Sequence, residues 1–180
     1  MQSFLNKKLR WMTLGGQYDW TAKKYPSTKP PDFPPDVALM LESIFPETKA
    51  QAAIVNLYTP GDTLSLHRDV SEESDKGLVS VSIGCDAIFI IGLGSDQKEQ
   101  SEKSQNPPLI LRIRSGDVIF MDRSSRFAWH GVPQIIPNTC PAPLESWPAD
   151  DLNDHNSIYS YWKGWMKNKR VNLNVRQMWV

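Results

Sequence analysis

Apolar and polar positions alternate along most of this 180-residue chain in short runs, with the period of two that belongs to half-buried strands. Seven runs qualify, at residues 53–58, 64–67, 78–83, 87–91, 109–113, 118–121 and 171–175, most of them rich in β-branched side chains. Strands this short, separated by tight turns, predict a mainly β fold of the sandwich or barrel kind. The passage from LILRIR through Ser115, Gly116 and Asp117 to VIFM reads as a hairpin, since Gly and Asp supply the turn-forming positions.

Two segments carry helical spacing instead. Val37, Met40, Leu41, Ile44 and Phe45 recur on one helical face, with Pro34, Pro35 and Asp36 suited to a helix start and Pro46 to its end. Ile158, Tyr161, Trp162, Trp165 and Met166 repeat the pattern after a polar approach at 154–156 that supplies a cap. Both helices are expected to buttress an outer sheet face, with the aromatic stripe of the second as core packing. Five of the 14 prolines fall at 26–35 and five at 133–148, marking two ordered loops, and the polar stretch 95–108 reads as a surface loop.

Composition adds limits. With 40% hydrophobic residues the chain fills one core, and 22% charged with 10% aromatic residues excludes a disordered chain. The longest apolar run, 87–94, is far short of the roughly 18 residues a membrane span needs, and the start lacks a secretory apolar region. The expectation is a soluble, intracellular protein that does not engage membranes, with nucleus, cytoplasm and mitochondrion undistinguished. Cys85 and Cys140 have no CxxC spacing, which argues against a disulfide framework or zinc knuckle. Twenty Lys and Arg balance twenty Asp and Glu, which excludes a strongly basic nucleic-acid binder.

The chemistry-bearing residues begin with SLHRDV. Strand parity turns His67 and Asp69 to one side, although a lone HxD is also what an ordinary hydrogen-bonded histidine looks like. His130 follows 61 residues after Asp69, at the end of the strand-like RFAWHG and before a Gly-Val-Pro turn that leaves its ring at a sheet rim. Two histidines and one carboxylate leave three coordination positions open, the arrangement that suits non-haem iron(II), whereas structural zinc wants a fourth protein ligand. His155, in an acidic polar loop, is not expected to join them.

At the other end, RVNLNVRQ turns Val171, Leu173 and Val175 to one face and Arg170, Asn172, Asn174 and Arg176 to the other. The two arginines stand roughly 20 Å apart on an extended strand, too far to grip one carboxylate, yet inward-leaning arms can hold the two ends of a dicarboxylate. The alternative is a polar face that meets solvent or pairs with acids. In IVNLYTPGD, Asn56 and Tyr58 share a face beside the same region and suit an anionic co-substrate.

In this order, NLYTPGDTLSLHRD, SVSIGCDAIFIIG, SGDVIFMDRSSRFAWHGV and RVNLNVRQ resemble the landmarks of the AlkB family of iron(II)- and 2-oxoglutarate-dependent dioxygenases. KLRWMTLGGQYDWTAKKY and the insert after His130 are similar to its eukaryotic AlkB homologue one subfamily, over roughly residues 8–177. The resemblance implies a double-stranded β-helix, or jelly-roll, with buttressing helices. Residues 1–50 would be a substrate-recognition segment and support helix, and 51–180 the dioxygenase core, within one compact domain. His67, Asp69 and His130 would bind Fe(II). Arg170, with Asn172 and Tyr58, would hold the distal carboxylate of 2-oxoglutarate, and Arg176 and Asn56 the chelating end. With O2 as the second co-substrate, an N-methyl group on a base would be hydroxylated and lost as formaldehyde, leaving succinate and CO2. Trp11 and Tyr18 would stack on the base or contact its backbone, while parity turns Arg68 away as a structural residue.

The substrate the resemblance implies is methyladenine in tRNA or single-stranded DNA, acted on by a monomer. The alternatives are the same chemistry on a methylated histone, or a catalytically silent module that binds RNA or a partner. Relatives in the subfamily carry a segment ahead of the position of Met1, so a short form or fragment is expected. Residues 1–30 carry six Lys and Arg against one acid, 31–160 nine against nineteen, and 161–180 five against none. Neutrality is therefore a cancellation between regions, and the N-terminal segment is basic enough to meet a phosphate backbone.

Overall fold

The fold comes from a computed structural model, which describes residues 4–5, 8–19, 21–22, 30–92, 107–149 and 158–179. Nine strands lie among them: β1 (Trp11–Gly15), β2 (Ala52–Tyr58), β3 (Leu64–His67), β4 (Leu78–Gly84), β5 (Ala87–Gly92), β6 (Leu109–Ile113), β7 (Val118–Met121), β8 (Trp129–Ile135) and β9 (Arg170–Arg176). They form a five-stranded sheet in the order β1-β2-β9-β4-β7 and a four-stranded sheet in the order β3-β8-β5-β6. Every pairing is antiparallel, and the two facing sheets make the expected jelly-roll.

Alternation decides what each face of the larger sheet meets. Its inner face and the smaller sheet enclose a core that includes Leu78, Met121, Ala87, Phe89, Val132 and Ile135. On its outer face Val175, Val79 and Ala53 pack under the helix α1 (Pro35–Ile44) through Leu41. Farther along that face Val55 and Leu57 meet Trp165 and Met166. The apolar side of β9 is thus spent on the outer layer, and its polar side faces the interior between the sheets.

α1 begins at the predicted prolines, but its buried stripe is rotated. Val37, Ala38, Leu41 and Phe45 pack inward, whereas Met40 and Ile44 are exposed. The second expected helix is absent: 158–168 contains two 3-10 turns, Ser160–Trp162 and Met166–Asn168. Gly164 between them has φ +70, outside the α-helical region, so the backbone ladder breaks there while Trp165 and Met166 still reach the core. The polar approach at 154–156 and most of the 95–108 stretch lie outside the described residues.

The expected hairpin is not one. β6 belongs to the smaller sheet and β7 to the larger, so Arg114–Asp117 is a corner that carries the chain across. Turn chemistry is as read, with Gly116 at φ +92 and the Arg114 N–H donating to the Asp117 carboxylate at 2.7 Å. What diverts the strands is Ser82, whose carbonyl accepts from the Gly116 N–H and whose N–H donates to the Asp117 carbonyl. These bonds fix the corner to β4. Nor does the chain turn at Gly-Val-Pro after His130, because β8 continues to Ile135. Two residues of β8, Val132 and Pro133, stand where β5 has Phe89 alone between Ile88 and Ile90, and this bulge accommodates Pro133, which has no N–H for a ladder.

Candidate metal centre and co-substrate cavity

His67 closes β3 and His130 is the second residue of β8, and the two are direct cross-strand partners. Their rings lie 4.3 Å apart. Asp69 sits beyond the end of β3, so strand parity does not aim it; the irregular segment 68–77 folds it back instead. Its two carboxylate oxygens stand 3.8 Å from His67 Nε2 and from His130 Nε2 respectively. One potential ligand atom from each residue falls within 4.8 Å of the others.

Each histidine is oriented from behind. Nδ1 of His67 lies 3.0 Å from the Ser65 carbonyl and Nδ1 of His130 lies 3.0 Å from the Ala128 carbonyl. A carbonyl only accepts, so each Nδ1 carries the hydrogen and leaves an Nε2 lone pair facing the shared point. Burial pushes the His130 pKa down and favours the neutral ring. For Asp69 burial pulls the other way, but Arg176, His130, His67 and the Asn174 amide outweigh it and hold the carboxyl below its ordinary range. Two imidazoles and a carboxylate form a donor set for a divalent cation with open positions.

The three residues open into a cavity of about 350 Å³ between the sheets, a volume typical of small-molecule sites. Its wall includes the whole polar face of β9: Arg170, Asn172, Asn174 and Arg176. Arg170 is buried and donates from Nη2 to Ser82 at 2.9 Å, while its Nε and Nη1 have no hydrogen-bond partner among the described residues. The ring of Tyr58 lies 5.5 Å away, and its buried hydroxyl is also without a partner among them. Burial lowers the Arg170 pKa and raises that of Tyr58. Buried donors on a charged group are rarely left unpaired, and a carboxylate entering the cavity would give this guanidinium an ionised acceptor. The residues present therefore fit a carboxylate-bearing co-substrate.

The other expected residues occupy different stations. Asn56, opposite Asn172 in register, lines the cavity. Asn172 commits its amide nitrogen to Ser80 at 2.8 Å and the Val81 carbonyl at 3.1 Å. Arg176 donates to Glu72 at 2.7 Å and approaches Asp69 at 3.6 Å. Tyr18 lines the cavity and its hydroxyl accepts from Ser71 at 3.3 Å. Trp11, paired with Asn56 across β1, is 46% exposed at the edge of the larger sheet and is not part of the cavity wall.

Three features were not anticipated. Asn174 donates to Asp69 at 3.2 Å, a role strand alternation hinted at by turning its amide inward. Arg68 lines the cavity and sits 5.4 Å over the ring of exposed Trp129, which corrects its reading as a structural residue turned away. Glu72 and Arg126 form a buried ion pair behind the centre, and nothing in their local spacing marked them.

The 2OG-Fe(II) oxygenase superfamily model matches residues 1–176. The chain is 57% identical over 182 residues to the N6-methyladenosine RNA demethylase ALKB1 of Pyricularia oryzae, covering 99% of this chain and 50% of that one. It is 47% identical over 182 residues to the tRNA demethylase abh1 of Schizosaccharomyces pombe, covering 97% and 54%. The chain thus spans about half the length of these two relatives. Among solved structures, that of OsALKBH1 superimposes with a TM-score of 0.67 at 23% identity, covering 93% of this chain and 77% of the other, a likeness of fold.

Proposed function

The chain belongs to the 2OG-Fe(II) oxygenase superfamily, and from that premise we propose that it removes N-linked methyl groups from nucleic acid, with methyladenine in tRNA or single-stranded DNA as substrate. The observation that carries the reading is one cavity holding both a His-Asp-His cluster and a buried arginine with two unpartnered donors. When bound, iron(II) and 2-oxoglutarate with O2 supply the oxidation that hydroxylates the methyl group, which leaves as formaldehyde beside succinate and CO2.

The chain's own residues supply position. His67, Asp69 and His130 would hold the metal through Nε2, carboxylate and Nε2. Arg170 and Tyr58 would take the distal carboxylate, Asn172 would support that wall through Ser80, and Asn56 and Arg176 would steady the chelating end. Leu64, Phe89 and Val132 give that volume apolar walls, which would favour exclusion of water once substrate is bound. Residues 1–50 would serve recognition and support, and Tyr18 at the cavity and Trp11 on the adjoining edge would meet a base or its backbone. The relatives' names, which concern RNA and tRNA demethylation, support the nucleic-acid substrate.

The test is succinate formation from 2-oxoglutarate with Fe(II), run in parallel on methylated RNA, methylated single-stranded DNA and a methylated histone peptide. Turnover coupled to formaldehyde on a nucleic acid is expected. Turnover on the peptide alone would overturn the substrate, and no succinate with any of them would favour a silent binding module.

A further inference from the structure

The segment that carries Asp69, residues 68–77, has no helix or strand to hold it, yet it must present a carboxylate to two histidines on a rigid sheet. Backbone bonds from Glu73 and Ser74 to the Met178 carbonyl anchor its middle, and one side chain ties it at three further points. Asp122 caps the 3-10 turn Arg123–Ser125 between β7 and β8, and that turn delivers Arg126 into the interior, four residues before His130. The Arg126 guanidinium then reaches three places on the segment: Nη1 donates to the Asp69 carbonyl at 2.9 Å, Nη2 to Glu72 at 3.0 Å, and Nε to the Lys76 carbonyl at 2.7 Å. The side chains of Arg126 and Glu72 are each 1% exposed.

Glu72 is divided between two arginines. Its Oε2 accepts from Arg126 and its Oε1 from Arg176 at 2.7 Å, and Arg176 in turn lies 3.6 Å from Asp69. We propose that Arg126 and Glu72 are positioning residues for this site: together they fix the Asp69 backbone and orient Arg176, so that the metal-binding carboxylate and one co-substrate arm are set by one buried carboxylate. The inference rests on the iron and 2-oxoglutarate reading above. It fits the geometry of guanidinium, whose rigid fork spans three acceptors at once, and lysine, a point charge on a flexible stem, does not reproduce it. Removing groups that orient metal ligands typically weakens metal binding about 10- to 100-fold.

Arg126→Lys and Glu72→Gln test this in the full chain, with Mn(II) affinity measured by EPR titration without 2-oxoglutarate, and KM and kcat for 2-oxoglutarate measured separately. The expected result is an Mn(II) Kd raised about 10- to 100-fold and a KM raised more than kcat falls. Leu41→Ala, which weakens the fold under α1 on the far side of the larger sheet, leaves the Mn(II) Kd and the KM unchanged and so separates positioning from general destabilisation. Since breaking a buried ion pair from one side is itself disruptive, the double variant Arg126→Gln with Glu72→Gln, which removes both charges of that pair and leaves Arg176 beside Asp69, decides the matter if either single variant does not fold. Wild-type Mn(II) affinity in a folded Arg126→Lys or double variant would overturn the proposal. Failure of the wild-type chain to bind Mn(II) at all would instead overturn the iron reading, and this proposal with it.

Discussion

His130 meets a desolvated environment that holds its pKa below the ordinary 6.5. The unfolded chain therefore takes up a proton there at higher pH than the folded chain does, and stability from this group is complete above about 6.5 and lost as pH falls toward the folded value. The thermal midpoint of the metal-free chain should drop across that window, and should drop less in His130→Gln; equal slopes would count against a buried neutral ring. Arg170 supports a different expectation. Arg170→Ala removes the fork that faces the unpartnered end of the cavity, and a hydrogen bond to a charged group is worth about 1.5–3 kcal/mol. The Kd for 2-oxoglutarate, read by calorimetry, should rise about 10- to 100-fold while Mn(II) binding is retained. At this scale much of the candidate site was legible in sequence, because HxD, a distant histidine and alternating arginines are local patterns. Glu72 and Arg126 were not, because their meaning lies in a contact between residues 54 apart in the chain.

Strands were legible where one face is apolar and the other polar, as in β9, whose Val171, Leu173 and Val175 alternate with the cavity residues. Alternation says which residues share a face but not which sheet a strand joins, and so β6 and β7 were read as partners when a tight turn sends them to different sheets. The helical spacing of 158–166 was real as a pattern and failed as a helix, because one glycine at positive φ outweighs five well-spaced apolar residues. Gly84 shows the same dependence on backbone. It has φ +93, and a Cβ there would lie 2.3 Å from the Lys169 carbonyl oxygen, next to Arg170. Gly84→Ala should cost about 1–3 kcal/mol in thermal unfolding and weaken 2-oxoglutarate binding as β9 gives way. Unchanged stability would show that the close approach is not needed.

Over the whole molecule the charges cancel, but they are not mixed. Six Lys and Arg fall in residues 1–30, and acids dominate 31–160. Nucleic-acid affinity should fall as salt rises, and charge-reversing Lys7, Lys8, Lys23 and Lys24 together should flatten that dependence while leaving Mn(II) binding intact. An affinity insensitive to salt would place recognition elsewhere. Among the described residues no helix is long and apolar enough to cross a membrane.

β9 is the last strand in sequence and the middle one in its sheet, inserted between β2 and β4. Until it is in place those two strands have no common neighbour, and their edges stay open to wrong partners. A ribosome releases His67, Asp69 and His130 well before Arg170 and Arg176, so a nascent chain exposes the His-Asp-His cluster without the arginines that complete the cavity wall. Insertion of this strand unites the sheet and furnishes the polar wall of the cavity in one event. On the proposed reading, competence to bind 2-oxoglutarate then reports that this sheet has closed.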